Sequence, residues 1–168
     1  RYHSLALKND GTVVAWGCRG GNFGQCKVPA GLSDVVSIGA GVYHSSALKK
    51  DGTVISWVCG KSGEYNSDFG QCTNPPNLGK VISMAVGDAE NIVITADGKV
   101  TYWGCGSGHP PEIVCTLPDG LDGETTAMAA GGAHSIALKK DGTMIDWGCS
   151  PSETRFGECT VPAGLTAT

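Results

Sequence analysis

The feature that most constrains this chain is a nine-residue phrase that occurs four times: DGTVVAWGC at 10–18, DGTVISWVC at 51–59, DGKVTYWGC at 97–105 and DGTMIDWGC at 141–149. The four tryptophans, Trp16, Trp57, Trp103 and Trp147, fall one per copy at steps of 41, 46 and 44 residues. A period of that size marks a repeat architecture, which frames every local motif.

Each copy reads as a hairpin. Asp-Gly accepts positive φ at both central positions of a two-residue turn, so it is expected to join the strand before it to the strand after it. The preceding strands are HSLALK at 3–8, HSSALK at 44–49, ENIVIT at 90–95 and HSIALK at 134–139. In the first, Leu5 and Leu7 share one face and Ser4 and Ala6 the other, the period-two spacing of a strand. The following strands run from Val13, Val54, Val100 or Met144 to the tryptophan. A third, shorter strand follows a Pro-containing turn and ends in small residues and Gly, as in DVVSIGAG at 34–41, where Val36, Ile38 and Ala40 are expected to share a face. Small residues at one recurring place suit close approach of strands from neighbouring repeats. No window shows a sustained 3.6-residue apolar pattern, so almost no helix is expected.

The eight cysteines occupy two fixed points of the repeat: Cys18 and Cys26, Cys59 and Cys72, Cys105 and Cys115, Cys149 and Cys159. Four disulfides within repeats are the economical reading. By loop-closure entropy each would stabilise the fold by about 2–3 kcal/mol. Intervals of 7 to 12 residues within the pairs lack the Cys-x-x-Cys spacing of zinc sites, so no metal is expected. Cystines imply an oxidising environment: secreted, cell-surface or periplasmic.

Composition narrows the functional classes. The 12 Lys and Arg against 16 Asp and Glu give a formal charge of −4, with no concentrated basic face, which argues against a nucleic-acid partner. No apolar run of 18 residues is present, so no membrane insertion is expected. The chain starts at Arg1 within a repeat, without an initiator Met or signal peptide, and reads as processed or as a segment of something longer.

The pattern G-x-x-H-S-x-A-L-K-x-D-G-T-V-x-x-W-G, followed by G-Q-C-x-V-P-x-G-L and V-x-x-I-x-A-G, resembles the regulator of chromosome condensation repeat in its shorter, bacterial-type version. The resemblance covers essentially the whole chain. It is weakest in the third copy, where Glu90 replaces His and Lys99 replaces Thr, and paired cysteines depart from the usual pattern and favour an extracellular member. It implies an all-β fold of antiparallel propeller blades, with about seven blades in a full ring. Four repeats are read here, at 1–41, 42–87, 88–131 and 132–168, the last incomplete, in one continuous repeat domain that is part of a larger or self-associated array. Joining Leu165 to Tyr2 would leave the ring link six residues short of the step from Leu32 to Tyr43, so self-association through blade edges is expected.

Members of this family serve as nucleotide-exchange factors for a small GTPase, as enzyme inhibitors or as protein-binding platforms. The disulfides set the exchange-factor reading aside, because a cytosolic or nuclear GTPase belongs to another compartment. His3-Ser4, His44-Ser45 and His134-Ser135 suggest nucleophilic catalysis, but neighbours in a strand point to opposite faces and cannot share a proton. The Asp-Gly carboxylates lack a dense oxygen-ligand loop, and Asp119, Asp122 and Glu124 read as solvated loop residues. The tryptophans read as packing between blades. Variation concentrates in the loops between paired cysteines, where Arg19, Tyr65, His109 and Arg155 are the candidate contacts. The resulting expectation is a non-enzymatic extracellular protein without cofactor, acting as a self-assembling scaffold or protein-interaction module. Its partner is itself, another protein or a glycan, and the alternative is loop-mediated recognition as an inhibitor or lectin.

Overall fold

A computed structural model describes residues 3–18, 24–59, 69–104, 116–132, 134–148, 160–162 and 165. Among the described residues there are eleven strands in four antiparallel sheets and no helix. The first sheet pairs β1 (Ser4–Leu7) with β2 (Val13–Trp16). The other three each hold an inner strand and a hairpin. They are β3 (Val35–Ala40), β4 (Ser45–Lys49) and β5 (Val54–Trp57); β6 (Val81–Val86), β7 (Asn91–Thr95) and β8 (Val100–Trp103); and β9 (Thr125–Ala130), β10 (Ser135–Lys139) and β11 (Met144–Trp147).

The hairpins form where the Asp-Gly pairs stand, but the turn differs from the two-residue type that the dipeptide suggests. Only the glycines take positive φ, at 78°, 91°, 85° and 82° for Gly11, Gly52, Gly98 and Gly142. Gly11 N donates to Lys8 O at 3.0 Å and Lys8 N to Thr12 O at 2.9 Å, so three residues form the loop and the glycine closes it as a bulge. The aspartate serves a different purpose. Asp10 Oδ1 accepts from Thr12 N at 3.0 Å, and Asp51 and Asp141 repeat the bond to Thr53 and Thr143 at 2.9 Å. A short acidic side chain two residues before a backbone N–H makes this bond locally, which is why Asp rather than Gly occupies the position.

The inner strands carry a second departure. Register slips at Val36 in β3, Ile82 in β6 and Thr126 in β9, each an extra residue against the hairpin strand. Such a bulge breaks strict alternation. Val35 is therefore buried, and Val36 and Ala40 are exposed instead of lining the core with Ile38.

Three apolar clusters lie between successive sheets. Trp57, Val35 and Ala47 pack with Leu5, Leu7 and Val13 of the first hairpin. Trp103, Val81 and Val93 pack with Leu48 and Val54 of the second. Trp147 and Ala137 pack with Ile92, Ile94 and Val100 of the third. Each cluster thus takes one tryptophan from the later sheet and aliphatic side chains from the earlier one. Burial of a Val, Leu or Ile contributes about 1.5–3 kcal/mol each, so stability resides in neighbour contacts and not within a single thin sheet. The sheets approach closely at their glycines: a methyl group on Gly41 would overlap the Gly87 carbonyl, and one on Gly87 would overlap the Gly131 carbonyl and the Glu90 carboxylate.

Candidate functional site

The recurring polar residues face the same boundaries. His3 Nε2 shares a hydrogen bond with Ser45 Oγ of the next sheet at 2.7 Å. One repeat on, His44 Nε2 donates to Asn91 Oδ1 at 3.2 Å, again across the boundary. Asn91 Oδ1 also accepts from Ser46 Oγ at 2.6 Å, and Ser46 is bonded to Ser56 at 2.7 Å. His44, Ser45, Ser46 and Asn91 are all fully buried. His3 and His44 therefore bond to the following repeat, and the Ser45 hydroxyl beside His3 lies where no substrate reaches it. Burial pulls the His44 imidazole down to about 4, against the opposing pull of its hydrogen bonds to Asn91 and to the Asp88 backbone, so this ring is neutral at neutral pH.

A second set of contacts ties the tryptophans to the preceding repeat. Trp103 Nε1 donates to Gln71 O at 3.1 Å and Trp57 Nε1 to Gln25 O at 3.4 Å. Gln71 O accepts a further bond from Asn91 Nδ2 at 2.9 Å. Both glutamines are buried and each directly precedes a cystine residue: Cys18–Cys26 and Cys59–Cys72 are disulfides with Cα atoms 6.1 and 5.7 Å apart. Sequence reasoning passed over Gln25 and Gln71, although the repeated Gly-Gln-Cys was the signal. It also treated Asp122 as solvated, whereas Asp122 Oδ1 accepts from Val100 N at 2.7 Å and so joins the third sheet to the turn before the fourth.

Of the residues expected at a recognition face, Arg19, Tyr65, His109 and Arg155 lie outside the described residues, as do Cys105, Cys115, Cys149 and Cys159. Trp57, Trp103 and Trp147 are each 7% exposed, whereas Trp16 is 53% exposed beside Val14 at 47%. Tyr43 and Phe69 meet edge to face with ring centroids 5.4 Å apart at the foot of the second loop. Among the described residues no group of three His, Cys, Asp or Glu is arranged to hold a metal. No helix of these residues is long and apolar enough to cross a membrane.

Comparison with known proteins agrees with this geometry. Residues 1–25 match the family model described as the regulator of chromosome condensation (RCC1) repeat. No curated protein matches the chain. Among solved structures, the entire ectodomain of the Physcomitrella patens receptor kinase CR4 is similar with a TM-score of 0.72 and 21% identity, over 99% of this chain and 43% of that one. Yeast RCC1 (Prp20), solved bound to Kap60, is similar with a TM-score of 0.63 and 24% identity, over 88% and 42%. Human WBSCR16 gives 0.61 and 25%, over 88% and 45%. The chain spans less than half the length of each of these structures.

The four sheets, joined edge-on through tryptophan and glycine contacts, are blades of an all-β propeller. The match to the regulator of chromosome condensation repeat falls on the first of these blades, within residues 1–25.

Proposed function

We propose that this chain is a non-enzymatic protein-interaction module of the propeller class, working in an oxidising extracellular compartment. The observation that carries the reading is the use of repeated polar groups between blades: His3, Ser45, His44, Asn91, Trp57 and Trp103 each bond across a blade boundary. What varies from blade to blade is then left to meet a partner, and it lies between the paired cysteines. Arg19, Tyr65, His109 and Arg155 are the contacts assigned to that face. Two disulfides and the likeness to a plant receptor ectodomain support the compartment. Yeast Prp20 was studied for its binding to Gsp1p and histones, so a protein surface is the class of partner favoured for this chain, with a glycan as the alternative. The test is capture of secreted proteins and glycans by the immobilised chain, repeated with all four residues changed to Ala. Loss of a specific ligand in a folded variant supports the assignment; full retention of every ligand rejects that face.

A second reading, as a self-assembling scaffold, is favoured by Trp16. Trp16 is exposed together with Val14 on the same face, whereas its counterparts Trp57, Trp103 and Trp147 are buried against the preceding sheet. Such a face suits the edge of a further blade from a second copy. Light scattering across a wide concentration range tests it: concentration-dependent association that Trp16→Glu abolishes is expected, and a monodisperse monomer throughout would rule it out.

A further inference from the structure

We infer that each disulfide acts across the blade boundary, fixing the backbone carbonyl to which the next blade's tryptophan is bonded, so that thiol reduction in one repeat loosens the repeat after it. The argument starts from the Gly-Gln-Cys segment. Gly24 O accepts from Lys27 N at 2.7 Å and Gly70 O from Thr73 N at 2.9 Å, which makes Gln25-Cys26 and Gln71-Cys72 the two corner residues of tight turns. Each turn is held at one corner by the cystine, Cys26 to Cys18 and Cys72 to Cys59. The other corner is the glutamine whose carbonyl points into the neighbouring blade. Gln25 O receives Trp57 Nε1, and Gln71 O receives Trp103 Nε1 together with Asn91 Nδ2. In the second turn Gln71 Oε1 also accepts from Phe69 N at 2.6 Å, so the side chain holds its own loop while the carbonyl serves the next repeat.

Among the described residues, no fourth strand is added to a sheet after the second cysteine to hold these turns. The covalent link therefore does the work a fourth strand would do in positioning the acceptor. A buried indole N–H that loses its acceptor is costly, so release of Gln71 is felt at Trp103, one blade away. Coupling of this kind is reciprocal: if the cystine steadies the tryptophan contact, the contact protects the cystine by the same factor.

That reciprocity supplies a test that leaves the cysteines unchanged. The folded chain and the variants Trp57→Phe and Trp103→Phe are treated with dithiothreitol. The reagent delivers two electrons and two protons to each disulfide and is itself oxidised to its cyclic form. Thiols are trapped over time by alkylation and quantified by mass spectrometry. Trp103→Phe is expected to speed reduction of Cys59–Cys72 several-fold with Cys18–Cys26 unchanged, and Trp57→Phe to do the reverse. The converse variant, Cys59→Ser with Cys72→Ser, is expected to accelerate exchange of the Trp103 indole proton at least tenfold while the Trp147 indole is unaffected. The inference is overturned if both disulfides respond equally to either tryptophan change, if neither responds, or if the cysteine pair variant loosens Trp57 in place of Trp103.

Discussion

Asn91 takes the hydrogen bond of His44 across the boundary between the second and third blades, 3.2 Å from Nε2 to Oδ1, at the position where the neighbouring blades carry Ser45 and Ser135. The amide does more than a hydroxyl can, since it also receives Ser46 and donates to Gln71 O. Asn91→Ala orphans the buried His44 N–H, at roughly 1–3 kcal/mol, and takes one bond each from Ser46 and Gln71 O, which keep Ser56 and Trp103. Loss of about 3 kcal/mol or more is expected from urea titration, and Asn91→Ser is expected to recover part of it.

Acid acts on the same boundary. His44 is held down to about 4 from an ordinary 6.5, chiefly by burial. Between those values the unfolded chain binds a proton that the folded chain refuses, so stability rises with pH across the window. The contribution is complete above about pH 6.5, is lost as pH falls toward 4, and is on the order of 3 kcal/mol. The turn carboxylates Asp51, Asp97 and Asp141, lowered by hydrogen bonds to Thr53, Thr95, Lys99 and Thr143, add their own loss only below their ordinary 3.8. Urea midpoints measured from pH 7 to pH 4 should fall steadily for the native chain. They should fall less for His44→Gln, in which His3, also lowered by burial, keeps its slope.

The tryptophans divide by exposure and not by sequence context. Trp103→Ala removes a ring that is 7% exposed and leaves Gln71 O with one donor fewer, a loss of about 3–5 kcal/mol. Trp16→Ala, at a site 53% exposed, should change stability by less than about 1 kcal/mol. Denaturant midpoints of the two variants under identical conditions check the difference.

Two glycines should fail for different reasons when changed to Ala. At Gly41 the new methyl group overlaps the Gly87 carbonyl of the next blade, which backbone cannot yield cheaply, and overpacking of this kind costs about 1–3 kcal/mol. At Gly31 nothing lies within 4 Å, but φ is +77° and the penalty is the left-handed backbone alone, roughly 1 kcal/mol. Thermal unfolding of both variants, together with a Gly41→Ala/Gly87→Ala double variant, separates clash from strain: the double variant should be non-additive because the two sites touch.

The hairpins, the repeat and the blade class were legible because local chemistry encodes them. Asp10, Gly11 and Trp16 return in register in every repeat, and alternation in Leu5 and Leu7 needs no distant partner. What escaped the sequence was set between repeats. Val36 looked like a core residue because alternation was counted through it, and only pairing with β4 reveals the bulge that turns it outward. His44 and Ser45 looked like a local pair, yet the histidine reaches 47 residues ahead to Asn91. Gln71 attracted no notice because its backbone carbonyl carries the contact, and a carbonyl is common to every residue type. The expected contact residues in the variable loops, Arg19 and Tyr65 among them, lie outside the described residues, and their role rests on the proposal made for them.

The central claim is that the recurring features of each repeat are spent at the boundaries between repeats, the tryptophan on the repeat before it. Hydrogen exchange at the four indole N–H groups of the isotope-labelled 168-residue chain, resolved by NMR at a concentration where it is monomeric, tests this most directly. Protection of Trp57, Trp103 and Trp147 with free exchange at Trp16 is the predicted result. Equal protection of all four indoles, or equal exposure, would contradict it.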